Sequence, residues 1–255
     1  MWLMSFSLFV GCKWLTWWGA HQICPSIPRS LAYLLLWPGM DAHRFLDARR
    51  IPPKPAPSRW VAGVLKTLFG IVLIWIVAHR FSRPLLQGWT GMLGLIFLLH
   101  FGSFFLLALA WQALGVDAEP IMRFPLGSHS LGEFWGKRWN MGFRQLTFDL
   151  VFNPLRRPFG LPTATFASFV VSGLIHELVI SYPARAGYGL PTLYFGLQGA
   201  GVLIERSHLG KTLSLRDGWR GWLFAALVTA GPAFILFHPW FVTRVIIPFL
   251  RAIGA

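Results

Sequence analysis

The chain has 255 residues, of which 55% are hydrophobic and 13% charged, with 14 Trp and 23 Phe. A soluble domain carries about 25% charged residues, so this composition excludes a soluble globular protein and marks an integral membrane one. The formal net charge of +14 would suit nucleic acid, but the aromatic residues lie in apolar blocks, not among arginines on a polar face, which argues against nucleic acid as a partner.

A spanning helix needs about 20 mostly apolar residues. The opening stretch MWLMSFSLFVGCKWLTWWGA reads as a membrane segment over residues 2–20. It lacks a basic region ahead of its apolar run, and Trp17 and Trp18 suit an interfacial anchor better than a signal-peptide cleavage site. Cys12 and Cys24 have no metal-ligand spacing and read as membrane packing, without a disulfide framework. Leu31 to Trp37 is too short to span alone. Residues 41–59 follow as a basic loop carrying Arg44, Arg49, Arg50, Lys54 and Arg59 around IPPKPAP, which cannot be helical throughout.

Apolar blocks follow at 60–79, 88–115, 163–182 and 219–238. The Gly-rich block Leu190 to Ile204 is shorter and suits a helix packed inside a bundle. The expected fold is therefore an all-α integral membrane protein, a multi-span helical bundle of about six to eight membrane helices. Loops 41–59, 117–157 and 205–220 are rich in Lys and Arg, whereas 80–87 and 183–189 are poor in them. This alternation places the three basic loops in the cytoplasm. It fits a bacterial inner membrane or the endoplasmic reticulum. No loop is long enough for a soluble core of its own, so residues 1–255 are expected to form one membrane-embedded domain.

Within the second basic loop, Ser130-Leu131-Gly132-Glu133 fits a capping box, with the Ser hydroxyl meeting the amide of Glu133 and the Glu carboxylate reaching back. Beyond it, Leu131, Phe134, Trp135, Trp139, Phe143 and Leu146 recur at i, i+3 and i+4, which predicts a cytoplasmic amphipathic helix near 130–145. Such a helix suits a membrane interface, with its rings at headgroup depth and its cations in water. Asn140 fits that picture less well, because a buried amide needs several hydrogen-bond partners. Lys137 and Arg138 suit phosphate, either of a nucleotide-bearing substrate or of lipid.

The block TATFASFVVSGLIHELVISY places His176 and Glu177 inside a span. Ionisable groups there are costly and usually face a cavity or path, although a neutral packing histidine is the competing reading. His79 and His100 lack an acidic neighbour and rank below His176. His176-Glu177-Leu178-Val179-Ile180 has no second His four residues on, which removes the zinc-protease reading. No G-x-S-x-G elbow occurs, and Ser172 has no recognisable acid partner, so a serine hydrolase is poorly supported. A membrane histidine without a nucleophile of its own still serves as general base towards a substrate hydroxyl.

SLGEFWGKRWN followed by SGLIHEL, with WPGMD upstream at Trp37 to Asp41, resembles the wax synthase-like branch of the membrane-bound O-acyltransferases, most closely over residues 120–206. The resemblance implies transfer of a fatty acyl group from acyl-CoA to the hydroxyl of a lipophilic acceptor. Long-chain alcohol is the favoured acceptor, with diacylglycerol or another alcohol as alternatives. It implies His176 as catalytic base and Asn140 as its polar partner. Phe134, Trp135, Arg138 and Trp139 fall on the motif bordering the acyl-CoA tunnel, and Glu177 stands beside the base. The expected partners are acyl-CoA, the alcohol and membrane lipid. No metal or prosthetic group is required. The rival reading is a transporter or lipid-binding membrane protein with His176 and Glu177 lining a path.

Overall fold

Prolines decide where several helices begin. Pro28, Pro57, Pro84, Pro191 and Pro239 each occupy the first or second position of a helix, where the missing N–H has no intrahelical partner to lose. The computed structural model describes residues 2–255, and among these it contains helices and no strand. In chain order these include α1 (Trp2–Gly19), α2 (Ile27–Leu36), α3 (Ala42–Leu46), α4 (Pro57–Arg80) and α5 (Pro84–Ala113). There follow α6 (Leu131–Glu133, continued by a π turn Phe134–Arg138), α7 (Met141–Ala184), α8 (Leu190–Arg206), α9 (His208–Thr212) and α10 (Gly218–Leu236).

Among the described residues α4, α5, α7 and α10 are long and apolar enough to cross a membrane. They coincide with four of the blocks read from hydropathy. The block at 2–20 is helical as α1 but is not one of these four. The 44 residues of α7 are not a single rod. Gly160, between Pro158 and Pro162, takes φ +79 and ψ 170, a conformation only glycine adopts freely, and a fresh helix starts beyond it to carry His176.

The chain divides into two compact units. One comprises Phe6–Met122 and Ile246–Ala255. Its aromatic core centres on Phe45, whose ring meets Tyr33 at 5.6 Å, Trp37 at 6.0 Å and Trp111 at 5.2 Å. Lys13 is buried there, with its ammonium 3.1 Å from the centroid of the Tyr33 ring and donating to the carbonyl of Gly39. Asp41 ends the WPGMD stretch by capping α3, accepting the Arg44 N–H at 3.1 Å. Arg44 in turn forks onto Asp117 at 2.9 and 3.0 Å and pairs with Glu119. Helices α4 and α5 pack at glycine contacts: a Cβ on Gly70 would lie 2.4 Å from the Leu98 nitrogen. Small residues at such points let two backbones approach.

The other unit is built on Arg123–Val245, with α8 in its interior. Tyr194, Phe195, Gln198, Val202 and Glu205 of α8 are all buried, as expected for the Gly-rich block. Gln198 has no exposed surface and donates to the carbonyl of Val228 at 2.7 Å, while the Tyr194 hydroxyl donates to that of Thr229 at 3.0 Å. The residue four beyond Val228 is Pro232, which has no N–H to give. The α8 amide therefore fills a place on α10 that the helix itself leaves open.

Candidate acyl-transfer site

The segment before α7 begins as read and then departs from the reading. Ser130 is extended and its hydroxyl accepts the Glu133 N–H at 3.0 Å. Glu133 reaches back one residue further than a capping box requires, accepting the His129 N–H at 2.8 Å. The start of α6 has a second anchor: the N–H groups of Leu131 and Gly132 both donate to Glu205 at the end of α8. Burial pushes the Glu205 carboxyl above the usual range, against the pull of those two N–H groups.

The predicted continuous helix over 130–145 is corrected. After the π turn the chain turns extended at Trp139 (φ −94, ψ 128) and left-handed at Asn140 (φ 43, ψ 61), and α7 starts at Met141. The Trp139 N–H closes onto the Phe134 carbonyl at 2.8 Å, and the Arg138 carbonyl is taken by the Arg123 N–H at 2.8 Å. Both steer the backbone out of the helix. Asn is the residue type that, after Gly, best tolerates the left-handed region, and the Asn140 side chain caps α7 by accepting from the Phe143 N–H at 3.5 Å. The apolar stripe read across 131–146 is thus shared between two helices meeting at a corner.

The motif residues take distinct positions around that corner. Trp139 folds back to stack on Phe134, centroids 5.4 Å apart, and Phe134 meets Trp135 edge-on at 5.1 Å. Arg138 is fully engaged: it pairs with Glu133 at 2.7 and 2.8 Å, and its remaining arm donates towards the carbonyls of Arg123 and Phe124. Lys137 beside it is exposed.

His176 closes the α-helical part of α7, immediately before a π turn over Glu177–Ser181. Its Nδ1 lies 2.7 Å from the Ser172 carbonyl. A carbonyl only accepts, so Nδ1 carries the proton, and in the neutral ring Nε2 keeps its lone pair. The Ser172 hydroxyl is spent on the Ser168 carbonyl at 2.9 Å, so it forms no nucleophile–base pair with His176. Glu177 does not touch the imidazole. Its Oε1 accepts from the N–H groups of Gly189 (3.0 Å) and Thr192 (3.1 Å) and from the Thr192 hydroxyl (2.9 Å), a carboxylate capping the N-terminus of α8.

Phe195 connects His176 to the motif. Its ring lies 4.4 Å from the His176 ring and 5.7 Å from that of Trp135, which also meets Phe169 at 5.7 Å. The indole of Trp135 donates to Gln198 at 3.2 Å. The structure therefore brings Trp135 and His176 to the two sides of one phenylalanine, while Phe134 and Trp139 stand behind Trp135. Sequence reasoning missed Phe195 and Gln198. The available signal was a buried-type amide, Gln198, on a Gly-rich apolar helix, three residues beyond an aromatic ring.

The family model described as membrane bound O-acyl transferase matches residues 118–196. That stretch contains the motif corner, His176 and Phe195. Residues 118–196 are thus similar to the membrane-bound O-acyltransferase family. A probable long-chain-alcohol O-fatty-acyltransferase 9 of Arabidopsis thaliana is 32% identical over 181 residues, covering 66% of this chain and 53% of the relative. The corresponding enzyme 3 is 26% identical over 199 residues, covering 68% of this chain and 58% of the relative. An acyl-CoA–sterol O-acyltransferase 1 from the same plant is 30% identical over 112 residues, covering 41% of this chain and 32% of the relative. These names place the O-acyltransferase resemblance in the wax synthase-like branch. The chain spans little more than half the length of its first two matches.

Proposed function

We propose that this chain is a multi-pass membrane enzyme that transfers a fatty acyl group from acyl-CoA to the hydroxyl of a lipophilic alcohol. A long-chain alcohol is the favoured acceptor, and diacylglycerol or a sterol-like alcohol would present the same group to the same base. The names of the relatives support transfer over transport. The observation that carries the reading is the His176 geometry, in which Nδ1 is bound to the Ser172 carbonyl and Nε2 is left basic.

In the proposed reaction His176 Nε2 takes the hydroxyl proton as the alcohol oxygen bonds to the thioester carbonyl carbon. The tetrahedral intermediate then collapses, the C–S bond breaks, and the imidazolium returns the proton to the departing thiolate, giving ester and free CoA. Such base assistance contributes roughly 10²- to 10⁴-fold. Asn140 is the polar partner in this scheme, its amide donating to the developing oxyanion. Phe134, Trp135 and Trp139 flank the acyl chain. Exposed Lys137 meets the CoA phosphates, while Arg138, already held by Glu133, braces the segment. Glu177 holds the start of α8 and so Phe195 against the base.

The membrane setting in this reading is a single domain of six to eight helices, with α1, α2 and α8 joining the four long ones and the three basic loops facing the cytoplasm. The bacterial inner membrane and the endoplasmic reticulum both satisfy it. The test is incubation of membranes with labelled acyl-CoA and mixed alcohols, followed by detection of neutral esters and free CoA. His176→Ala is expected to abolish ester formation while leaving membrane insertion intact. Turnover at the wild-type rate in that variant would remove His176 as base.

A further inference from the structure

Two buried polar atoms that the acyl-transfer scheme does not use, Glu177 Oε2 and His238 Nε2, have no hydrogen-bond partner within the protein. Both belong to one corner of the unit built on Arg123–Val245. His238 follows α10 and has no exposed surface. Its Nδ1 accepts the Phe241 N–H at 3.1 Å, so in the neutral ring the proton sits on Nε2. That edge rests on Gly187, where a Cβ would lie 2.4 Å from Nε2 and where φ is +72.

The turn that seats His238 also seats Glu177. Gly189 of this turn donates to Glu177 Oε1, and the Gly187 carbonyl accepts the Ser181 hydroxyl at 3.1 Å. Arg244 secures the start of the turn by donating to the Ala184 carbonyl at 3.1 Å. Three donors on Oε1 mark Glu177 as an ionised carboxylate, while its Oε2 is buried without a hydrogen bond of its own, although the Ser181 hydroxyl, which donates to the Gly187 carbonyl, lies beside the carboxylate. Glu177 and the His238 ring thus share one seat, the turn from Gly187 to Gly189.

We propose that Glu177 Oε2 and His238 Nε2 form a small buried site that binds one neutral hydroxyl group, from a water molecule or from an alcohol. A hydroxyl accepts from Nε2–H and donates to Oε2 at the same time. A carbonyl group cannot donate, an ammonium cannot accept, a cation meets the N–H and an anion meets the carboxylate. Buried polar atoms are satisfied in this way by a bridging molecule with two or more partners. The occupant ties α10 to the turn and to Glu177, the neighbour of the base. His238 is thus a positioning residue, acting on His176 through Glu177 and through the α8 terminus that carries Phe195.

The experiment is a structure of the full chain in lipid nanodiscs, at a resolution that reveals ordered solvent, with and without added dodecan-1-ol. Density within about 3.2 Å of both atoms is the expected result. Density present without alcohol identifies water, and density appearing only with it identifies the alcohol hydroxyl. A direct Nε2–Oε2 hydrogen bond, or an empty site in both, overturns the proposal. In the same preparation His238→Leu is expected to lower the melting temperature by several degrees, and His238→Gln, which keeps an N–H donor, to restore most of the loss. Equal melting of the two variants also overturns it. The positioning role rests on the acyl-transfer reading: His238→Leu is expected to lower kcat about tenfold at constant KM, with recovery in His238→Gln. A rise in KM alone, or no change in kcat, overturns that role. The density and melting measurements stand even for a chain without acyltransferase activity, so the two failures are distinguishable.

Discussion

One carbonyl decides what His176 is able to do. By taking the proton side of the ring, the Ser172 carbonyl turns Nε2 into the basic atom, and nothing in the residue's neighbours along the chain announces this. The HE pair marked the position, but adjacent side chains on a helix diverge by about 100 degrees, and here they part, the His176 imidazole on one side and a helix cap on the other. Asn140 combines two demands. It occupies a left-handed corner that costs an ordinary residue about 1 to 2 kcal/mol, and it is the polar partner in the proposed chemistry. Two substitutions separate these. Asn140→Ala is expected to lower both thermal stability and turnover, whereas Asn140→Gly, at ease in the corner, keeps stability and still loses turnover. Ester formation by Asn140→Gly at the wild-type rate would reduce Asn140 to a corner residue. Neither the φ of Asn140 nor the Phe195 stack is visible in a periodic pattern, since both arise from contacts made elsewhere in the chain.

At the scale of elements, the stretch 130–147 teaches where periodicity stops. Ser130 and Glu133 announced the helix start correctly because a cap is a local chemical fact. The stripe from Leu131 to Leu146 was legible as apolar but not as broken, because the break is imposed by Arg123 taking the Arg138 carbonyl. Glu133 supports this element by pairing with Arg138. Burial works against its ionisation, but the His129 N–H and the Arg138 guanidinium outweigh that, and its pKa falls below the ordinary 4.5. A depressed carboxyl contributes stability that is present above the unfolded value and lost as pH falls through the folded one. Glu133→Gln is therefore expected to melt below the wild type at neutral pH, with the difference closing as pH falls below about 4.5. A gap that persists at low pH would assign the effect to packing. Glu205 contributes with the opposite sign, because burial has raised it.

At the scale of the whole molecule, hydropathy located α4, α5, α7 and α10, because crossing a bilayer imposes length and apolarity on any sequence. It said less about α1, which is helical but Trp-rich, and about α8, whose buried amide and carboxylate serve other helices. The alternation of basic loops makes a claim about sidedness that cysteine labelling tests. In sealed vesicles of known orientation, an impermeant maleimide is expected to label Lys54→Cys and Lys211→Cys from the cytoplasmic face. Arg83→Cys should react only from the opposite face. These are judged against a background in which Cys12 and Cys24 are replaced by Ser. Labelling of all three from one side would break the proposed topology.

Pro232 withdraws an N–H from Val228, and Gln198 supplies one in its place, with Tyr194 beside it on Thr229 and the Trp222 indole on the Leu126 carbonyl at 2.8 Å. Those bonds are read by side chains and do not depend on peptide continuity. A gene split at the exposed turn before Gly218, with its two products co-expressed, is expected to yield fragments that co-purify as one particle. Gln198→Leu in the larger fragment should weaken their retention. Helix α10 would then be a docked part, recognised in part by the one carbonyl, that of Val228, which its own proline has left unclaimed.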